Sequence, residues 1–293
     1  MKHLVVFAAV RAAMAILAPL PRRVALWLGE RGGRLAYHVA GERASMAARH
    51  ARRAGPVGLD PRAGAMHMYA NYGRYWAEAL WTRASRLHEI ELSTSVEGIE
   101  FVRAAKAAGS GMIFVLPHLG NWEIAGPVAT REGVEAVAVA ENLRNRRLRD
   151  WFVRLRNSLG IGIVLARSGI LDELEAVIRR NGAVALLADR DLSGRGVGVL
   201  FFGEETTLPS GPIRLAMRTG APLLPVASYF DGVGHRVVIR PPLRLTDGQG
   251  DEALRRGTRQ VAAALEELIR VAPEQWHPLQ PNWPSDRAAE GSD

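Results

Sequence analysis

Short apolar runs alternate with stretches of helical period along residues 91–284. The apolar runs predict buried strands at 112–116, 134–139, 161–165, 184–187, 221–228 and 237–239. The stretches between most of them predict helices, of which the longest is an amphipathic helix over 251–271. Strands that alternate with helices are typical of a parallel sheet covered on both faces. We therefore predict an α/β fold in which a mostly parallel, mixed sheet is flanked by helices.

Residues 1–90 have a helical pattern throughout. Residues 4–20 are apolar except for Arg11, and this stretch is too short and too interrupted for a membrane-spanning helix. Because Arg22 and Arg23 follow it directly, the stretch favours an interfacial helix at a membrane surface. A hydrophobic helix packed on the rest of the domain is the alternative explanation of the same pattern.

One predicted helix in this N-terminal part carries an aromatic face. Tyr69, Tyr72, Tyr75 and Trp76 recur at helical spacing. Such a face is typical of a core, and beside a basic surface it also fits a membrane-interface belt.

The positive charge of the chain belongs to the same N-terminal part. Residues 1–90 contain 14 Lys and Arg against 5 Asp and Glu, whereas the whole chain has a net charge of +8. A basic surface of this kind suits an anionic partner, either phospholipid head groups or nucleic acid. Codon bias is the alternative origin of the charge, since only Lys2 and Lys106 are lysines in an arginine-rich chain.

A chain of 293 residues and 31.9 kDa is long enough to bury one large core. We predict one continuous unit, with a basic helical segment over 1–90 packed on an α/β core over 91–284. The polar residues 285–293 predict a disordered tail.

Several classes of site are excluded by composition and motifs. The chain has no cysteine, which excludes disulfides, thiolate nucleophiles and cysteine-ligated metal sites. It also lacks the H-E-x-x-H, G-x-S-x-G, P-loop and G-x-G-x-x-G motifs. Gly194, Gly196 and Gly198 alternate, which predicts a turn rather than a dinucleotide loop.

Candidate catalytic residues follow two of the predicted strands. His118 comes two residues after the first apolar run, and Asp189 and Asp191 follow the run that ends at residue 187. The carboxyl ends of strands are where ligands bind in open α/β sheets. A neutral imidazole there can take a proton from an alcohol that attacks an acyl carbon, while a carboxylate fixes its tautomer. That carboxylate is either Glu123, one helical turn further on, or one of the two aspartates.

These residues belong to a series of motifs whose combination is specific. In chain order the motifs are Tyr75-Trp76-Ala77-Glu78-Ala79, His118-Leu119-Gly120-Asn121-Trp122-Glu123, Arg156 four residues before Gly160, Asp189-Arg190-Asp191, Phe201-Phe202-Gly203, Pro209-Ser210-Gly211-Pro212 and Pro273-Glu274-Gln275-Trp276-His277. Over nearly its whole length the chain resembles the lipid A biosynthesis acyltransferase family, and within it the actinobacterial phosphatidylinositol mannoside acyltransferases. The resemblance implies a glycerolipid-acyltransferase-like fold with a membrane-associating N-terminal segment.

The resemblance also implies roles for individual residues. His118 matches the general base and Glu123 the acidic residue of the family's H-x₄-D/E motif, and Asp189 and Asp191 match an acidic pair near the site. Arg156 matches an arginine that grips an anionic head group or the phosphates of the donor, a role that suits its bidentate fork. The remaining residues assigned to substrate binding are Arg190, Ser210 at the start of a predicted helix, and Gly120 and Asn121, whose backbone N–H groups would stabilise an oxyanion.

We therefore expect a membrane-associated acyltransferase that acts on the sugar of an anionic glycolipid, with mannose of a phosphatidylinositol mannoside as the first choice. The resemblance implies no metal and no cofactor, and an acyl donor that is acyl coenzyme A or acyl carrier protein, the first being preferred. We expect peripheral attachment at the cytoplasmic face of the inner membrane. Alternatives are a lipid A type acyltransferase and a catalytically silent lipid-binding protein, whereas a nucleic-acid binder would not explain two polar clusters at strand ends.

Overall fold

The computed structural model describes residues 2–245 and 250–290. The helices are α1 Lys2–Leu17, α2 Arg22–Val39, α3 Glu42–Ala54, α4 Pro61–Trp81, α5 Leu87–Leu92, α6 Ile99–Ala108, α7 Ala125–Arg131, α8 Arg146–Ser158, α9 Leu171–Arg179, α10 Gly211–Thr219, α11 Gly250–Val271 and α12 Pro284–Glu290. The strands are β1 Thr94–Glu97, β2 Met112–Leu116, β3 Ala136–Ala140, β4 Ile161–Leu165, β5 Ala183–Leu187, β6 Val197–Phe201, β7 Glu204–Leu208, β8 Leu223–Asp231 and β9 Gly234–Ile239.

The central sheet has the strand order β1-β9-β8-β2-β5-β3-β4. Its neighbours are parallel except for the antiparallel pair β8 and β9. The predicted α/β fold with a mostly parallel, mixed sheet is therefore confirmed. Strand β1 and the separate hairpin of β6 and β7 were not predicted, because their alternating, half-buried residues lack a long apolar run.

Strand β2 lies in the middle of the sheet and is buried along its whole length. Ile113 and Val115 contribute to one hydrophobic cluster, whereas Met112, Phe114 and Leu116 contribute to another. Successive side chains of a strand point to opposite faces, so both faces of β2 are covered, which explains its uninterrupted apolar sequence. Each of these side chains stabilises the fold by about 1.5–3 kcal/mol through burial.

Helices α2, α3 and α4 of the N-terminal part pack against one another. A Cβ atom added to Gly33 would lie 2.1 Å from the carbonyl oxygen of Tyr69, and one added to Gly73 would lie 2.1 Å from that of Gly29. Glycine at these positions therefore allows α2 and α4 to cross with their backbones almost in contact. None of the helices in the described part of the chain combines the length and the apolar character needed to cross a membrane.

The C-terminal end differs from the prediction of a disordered tail. Residues Pro284–Glu290 form α12, while residues 291–293 lie outside the described part. Asp286 is fully buried there and accepts hydrogen bonds from the His50 ring at 2.8 Å and from Arg53 at 3.1 Å. This buried carboxylate ties α12 to α3, a long-range contact that the polar composition of the tail gave no reason to expect.

Candidate active site

His118 and Asp189 meet at the carboxyl ends of two neighbouring strands. Strands β2 and β5 are parallel, and Leu116 is the register partner of Leu187. Each of the two site residues follows its strand by two positions, so the register brings them to the same level of the sheet. The ring Nδ1 of His118 lies 2.7 Å from Oδ1 of Asp189, and the backbone N–H of His118 donates to Oδ2 at 3.0 Å. Of the candidate carboxylates, Asp189 is the one that contacts His118.

The environment of Asp189 keeps it ionised. Its burial opposes ionisation, but the His118 ring, the Trp276 indole and the His118 backbone N–H together lower its pKa to about 2. An ionised carboxylate only accepts hydrogen bonds, so Nδ1 of His118 must carry the proton in this pair. In the neutral form of the ring the lone pair is therefore on Nε2, and 23% of the His118 side chain is exposed. The pair is arranged for proton abstraction by Nε2.

The C-terminal segment completes the environment of Asp189. The Trp276 indole N–H donates to Oδ2 of Asp189 at 2.8 Å, and the Asn282 amide donates to the Asp189 backbone carbonyl at 3.0 Å. Trp276 stands within the motif Pro273-Glu274-Gln275-Trp276-His277. Spacing along the chain could not place it beside a residue 87 positions earlier.

The turn after His118 is held by backbone hydrogen bonds. The N–H groups of Gly120 and Asn121 donate to the carbonyls of Gln275 at 2.9 Å and Ser228 at 3.2 Å. Gly120 has φ of +56°, and a Cβ atom there would lie 2.0 Å from the Ser228 carbonyl oxygen, so glycine is required. Both N–H groups thus already have partners in the protein, and their role at an oxyanion stays a prediction from the sequence.

The side chain of Asn121 is also committed to the protein. Its Oδ1 accepts from the backbone N–H of Glu123 at 3.2 Å and so caps a short 3₁₀ turn at Trp122–Ile124. Its Nδ2 donates to Oε2 of Glu78 at 2.7 Å, and only 2% of Asn121 is exposed. Both polar groups of the Asn121 side chain are thus used within the protein.

Glu123 pairs with Arg156 and makes no hydrogen bond to His118. Nε and Nη2 of Arg156 donate to the two carboxylate oxygens of Glu123 at 2.8 and 2.7 Å. The Tyr75 hydroxyl donates to the same carboxylate at 3.3 Å. Burial disfavours the charge on Arg156, but the paired carboxylate outweighs it and raises the pKa of the guanidinium. The bidentate fork assigned to a head group is thus occupied by Glu123.

The other assigned side chains make their hydrogen bonds to groups other than the His118 ring. Asp191 accepts hydrogen bonds from Ser193, Gly196 and Thr207 at 2.7–3.0 Å and so shapes the loop before β6. Burial raises its pKa, but these hydrogen bonds outweigh burial and lower it. Arg190 donates to Gln280 at 2.6 Å, and Ser210 accepts from Arg214 instead of capping α10. Of the two acidic residues in Asp189-Arg190-Asp191, the structure brings only the first to His118.

An aromatic stack joins the two pairs. The Trp122 ring meets the His118 ring edge-on at 5.2 Å and stacks on the Tyr75 ring at 4.2 Å. The Trp122 indole N–H is buried and has no hydrogen-bond partner among the residues that the structure describes. Tyr72 and Trp76 continue the aromatic cluster, so this face of α4 lies at the site in addition to contributing to the core.

Among the described residues, no group of three or more His, Asp or Glu side chains is arranged to hold a metal ion. The site therefore contains a base, His118, that is oriented by the buried Asp189 carboxylate and lies next to the aromatic ring of Trp122. Such a base can deprotonate a hydroxyl group as that group attacks an electrophile.

Comparison with known proteins agrees with this chemistry. Residues 1–285 match the family described as bacterial lipid A biosynthesis acyltransferase. The chain is 37% identical over 221 residues to a phosphatidylinositol mannoside acyltransferase of Mycobacterium tuberculosis (strain ATCC 25618 / H37Rv), which covers 74% of this chain and 69% of that protein. It is 35% identical over 224 residues to the protein of the same name from Mycolicibacterium smegmatis, with 75% and 72% covered. A lipid A biosynthesis acyltransferase of Haemophilus influenzae is 25% identical over 183 residues, with 61% and 55% covered.

Proposed function

The chain belongs to the bacterial lipid A biosynthesis acyltransferase family and is an acyltransferase, and we propose that its acceptor is a mannose hydroxyl of a phosphatidylinositol mannoside. The observation that carries the mechanism is the His118–Asp189 pair, in which Nδ1 bonds the carboxylate and 23% of the imidazole side chain is exposed. The choice of acceptor is supported by the identity to the two mycobacterial relatives, which exceeds the identity to the lipid A enzyme.

In the proposed reaction, Nε2 of His118 takes the proton of the acceptor hydroxyl as its oxygen attacks the thioester carbonyl carbon. The new C–O bond gives a tetrahedral oxyanion, and breakage of the C–S bond releases a thiolate. The His118 imidazolium returns the proton to this thiolate, so that the ring is neutral again. Asp189 stabilises the imidazolium that forms in between, because it stays ionised and hydrogen-bonded to Nδ1.

The backbone N–H groups of Gly120 and Asn121 already donate to carbonyls of the protein, which favours another donor for the oxyanion. We propose the Trp122 indole N–H, since it is buried without a partner among the described residues and its ring lies 5.2 Å from the His118 ring. A buried donor without an acceptor costs about 1–3 kcal/mol, and an oxyanion formed in the reaction would offset this cost in the transition state.

The acyl donor that we propose is a long-chain acyl coenzyme A, with acyl carrier protein as the alternative. We also propose peripheral attachment at the cytoplasmic face of the inner membrane. On α1, Leu4 is 56% exposed and Ile16 is 63% exposed, and on α2 Trp27 is 53% exposed. Exposed apolar side chains between arginines suit an interface between head groups and acyl chains.

The function is tested by incubating the purified chain with labelled palmitoyl coenzyme A and separate acceptors. The panel contains mannosylated phosphatidylinositols, phosphatidylinositol without mannose, and a lipid A precursor, each also offered with acyl carrier protein as donor. We expect label on the mannosylated lipids alone. Label on the lipid A precursor alone would show that the acceptor is a lipid A precursor and not a mannosylated lipid. Binding of lipid without transfer to any acceptor would indicate a catalytically silent homologue.

Membrane attachment is tested by sedimentation with vesicles that contain phosphatidylglycerol. Leu4→Glu combined with Ile16→Glu should leave most of the protein in the supernatant, whereas Glu89→Gln should sediment like the unaltered chain. Equal sedimentation of all three proteins would remove the membrane role from α1.

A further inference from the structure

Glu78 is a fully buried carboxylate outside the reacting pair. It lies on α4 within the motif Tyr75-Trp76-Ala77-Glu78-Ala79, and it is 0% exposed. Its three partners come from three other parts of the fold: Arg22 at the start of α2, His235 on β9, and Asn121 in the turn after His118. All three are at most 6% exposed. Four separate segments of the chain therefore meet at one carboxylate.

The two oxygens of this carboxylate have different tasks. Oε1 accepts from Arg22 Nη2 at 2.8 Å and Nε at 3.2 Å and lies 3.1 Å from His235 Nε2. Oε2 accepts from Nδ2 of Asn121 at 2.7 Å. Burial opposes the charge on Glu78, but His235, Arg22 and Asn121 outweigh it and lower its pKa to about 2. One oxygen is thus held by the Arg22 guanidinium and lies against the His235 ring, and the other holds Asn121.

Asn121 fixes the backbone conformation of the turn between His118 and Trp122. Its backbone N–H bonds Ser228, its Oδ1 caps the 3₁₀ turn, and its Nδ2 reaches Glu78. A buried ion pair seldom adds much net stability over apolar side chains of similar size. Orientation of the turn is what the Glu78 contacts supply that an apolar side chain could not.

We propose that Glu78 is a positioning residue for acyl transfer: its carboxylate, anchored by Arg22 and His235, fixes Asn121 and thereby the turn that carries His118 and Trp122. The inference rests on the proposed function. If Glu78 has this role, the connection between α1 and α2 also helps to position the site, because Arg22 lies at the start of α2. Trp81 of α4 holds this connection by donating to the Leu20 carbonyl at 2.9 Å.

Glu78→Gln, measured in the full-length chain, tests the proposal. A neutral amide keeps the shape but weakens the hold on Asn121, so we expect kcat to fall about 30-fold with the KM for acyl donor changed by less than about twofold. We also expect backbone hydrogen exchange in residues 118–124 to quicken about tenfold, with α9 unaffected. Glu89→Gln, an exposed glutamate on α5, is the matched control and should leave both quantities unchanged.

Asn121→Ala separates positioning from stability. It cuts the link to the turn while leaving the contacts of Arg22 and His235 with Glu78, so we expect a similar loss of kcat with a smaller fall in Tm than for Glu78→Gln. In the double variant the two losses of kcat should not add, because they remove the same interaction. Additive losses, or normal kcat in Asn121→Ala, would overturn the proposal even if Glu78→Gln failed to fold.

Hydrogen exchange distinguishes this inference from the proposed function. If the unaltered chain transferred no acyl group, the proposed function would fail, while quicker exchange at 118–124 in Glu78→Gln would still support the hold on the turn. If hydrogen exchange in residues 118–124 were unchanged in a folded Glu78→Gln variant, the positioning role of Glu78 would be overturned, whatever the activity of the variant.

Discussion

In the described part of the chain, the His118–Asp189 and Arg156–Glu123 pairs differ in how far their side chains are exposed. In the His118–Asp189 pair the carboxylate is buried but 23% of the imidazole side chain is exposed. In the Arg156–Glu123 pair both partners are largely enclosed, with 15% and 6% of the side chains exposed. The first pair has a free ring nitrogen that can exchange a proton. In the second pair, both carboxylate oxygens are bound by the guanidinium, which makes it a structural clamp.

The origin of the difference is long-range. Glu123 is near His118 in sequence, yet the 3₁₀ turn at Trp122–Ile124 directs it towards α8 and Arg156. Asp189 is distant in sequence, yet the register of β2 and β5 brings it to the ring. Trp122 connects the two pairs, because it touches His118 and also stacks on Tyr75, whose hydroxyl donates to Glu123.

Exchange of the carboxylates for amides gives the largest expected contrast. In Asp189→Asn the amide can donate to Nδ1 and so favour the wrong tautomer, and we expect kcat to fall about 10³-fold. In Glu123→Gln the reacting ring keeps its partner, and we expect a loss of less than about tenfold. Steady-state kinetics on variants with confirmed folding make the measurement. Losses of the same size would place Glu123 in the reaction after all.

Removal of the Arg156 guanidinium from its pair with Glu123 is expected to lower the stability of the fold. Arg156→Met leaves the Glu123 carboxylate buried without its partner, so the free energy of unfolding should fall by about 3 kcal/mol. Adding Glu123→Gln should recover part of this loss, because the unpaired charge disappears. Urea unfolding measures both effects. If instead the KM for the glycolipid rose more than about tenfold at unchanged stability, Arg156 would bind the head group as the resemblance implies.

The residue between the two pairs offers a sharper test. Trp122→Phe keeps an aromatic ring on Tyr75 but removes the indole N–H, so kcat should fall about 100-fold, equivalent to roughly 2.7 kcal/mol, if that group stabilises the oxyanion. The KM values and Tm should change little. Tyr72→Phe, which removes a hydroxyl from the same cluster, is the comparison variant. Equal and small effects of both would assign the oxyanion to another donor.

The smallest expected effect is on the dependence of stability on pH in the acid range. The pKa of Asp189 is lowered to about 2 in the folded chain from a usual 3.8. Its ionised form therefore contributes about 2 kcal/mol of stability above about pH 4, and this contribution is lost as the pH falls towards 2. Unfolding by urea at a series of pH values should show a flatter acid limb in Asp189→Asn. An unchanged slope would mean that Asp189 is not held by His118 and Trp276 in solution.

Much of this organisation could be predicted from the sequence. The uninterrupted apolar run of β2 indicated a strand buried on both faces, and the polar residues after it indicated the reactive edge of the sheet. Those two facts placed His118, and the same pattern after β5 placed Asp189 at the same edge. They depend only on local period and on a general property of parallel sheets.

The partners of these residues could not be predicted in the same way. Whether His118 meets Glu123 or Asp189 depends on which strands are neighbours and in what register, and the chain order does not specify either. The contacts of Trp276 with Asp189 and of Glu78 with Asn121 join segments that are 87 and 43 residues apart. Such pairings are decided by packing of the whole domain, which no single stretch of sequence contains.

Strand register has one more consequence, for the lengths of loops. His118 and Asp189 stay opposite each other as long as Leu116 and Leu187 remain paired, however many residues lie in between. Insertions in the connections around β3 and β4 should therefore be tolerated, whereas one extra residue between Leu187 and Asp189 would turn the carboxylate away from the ring. Sequence variation in loop length and the precision of the reacting pair are independent of each other in this architecture.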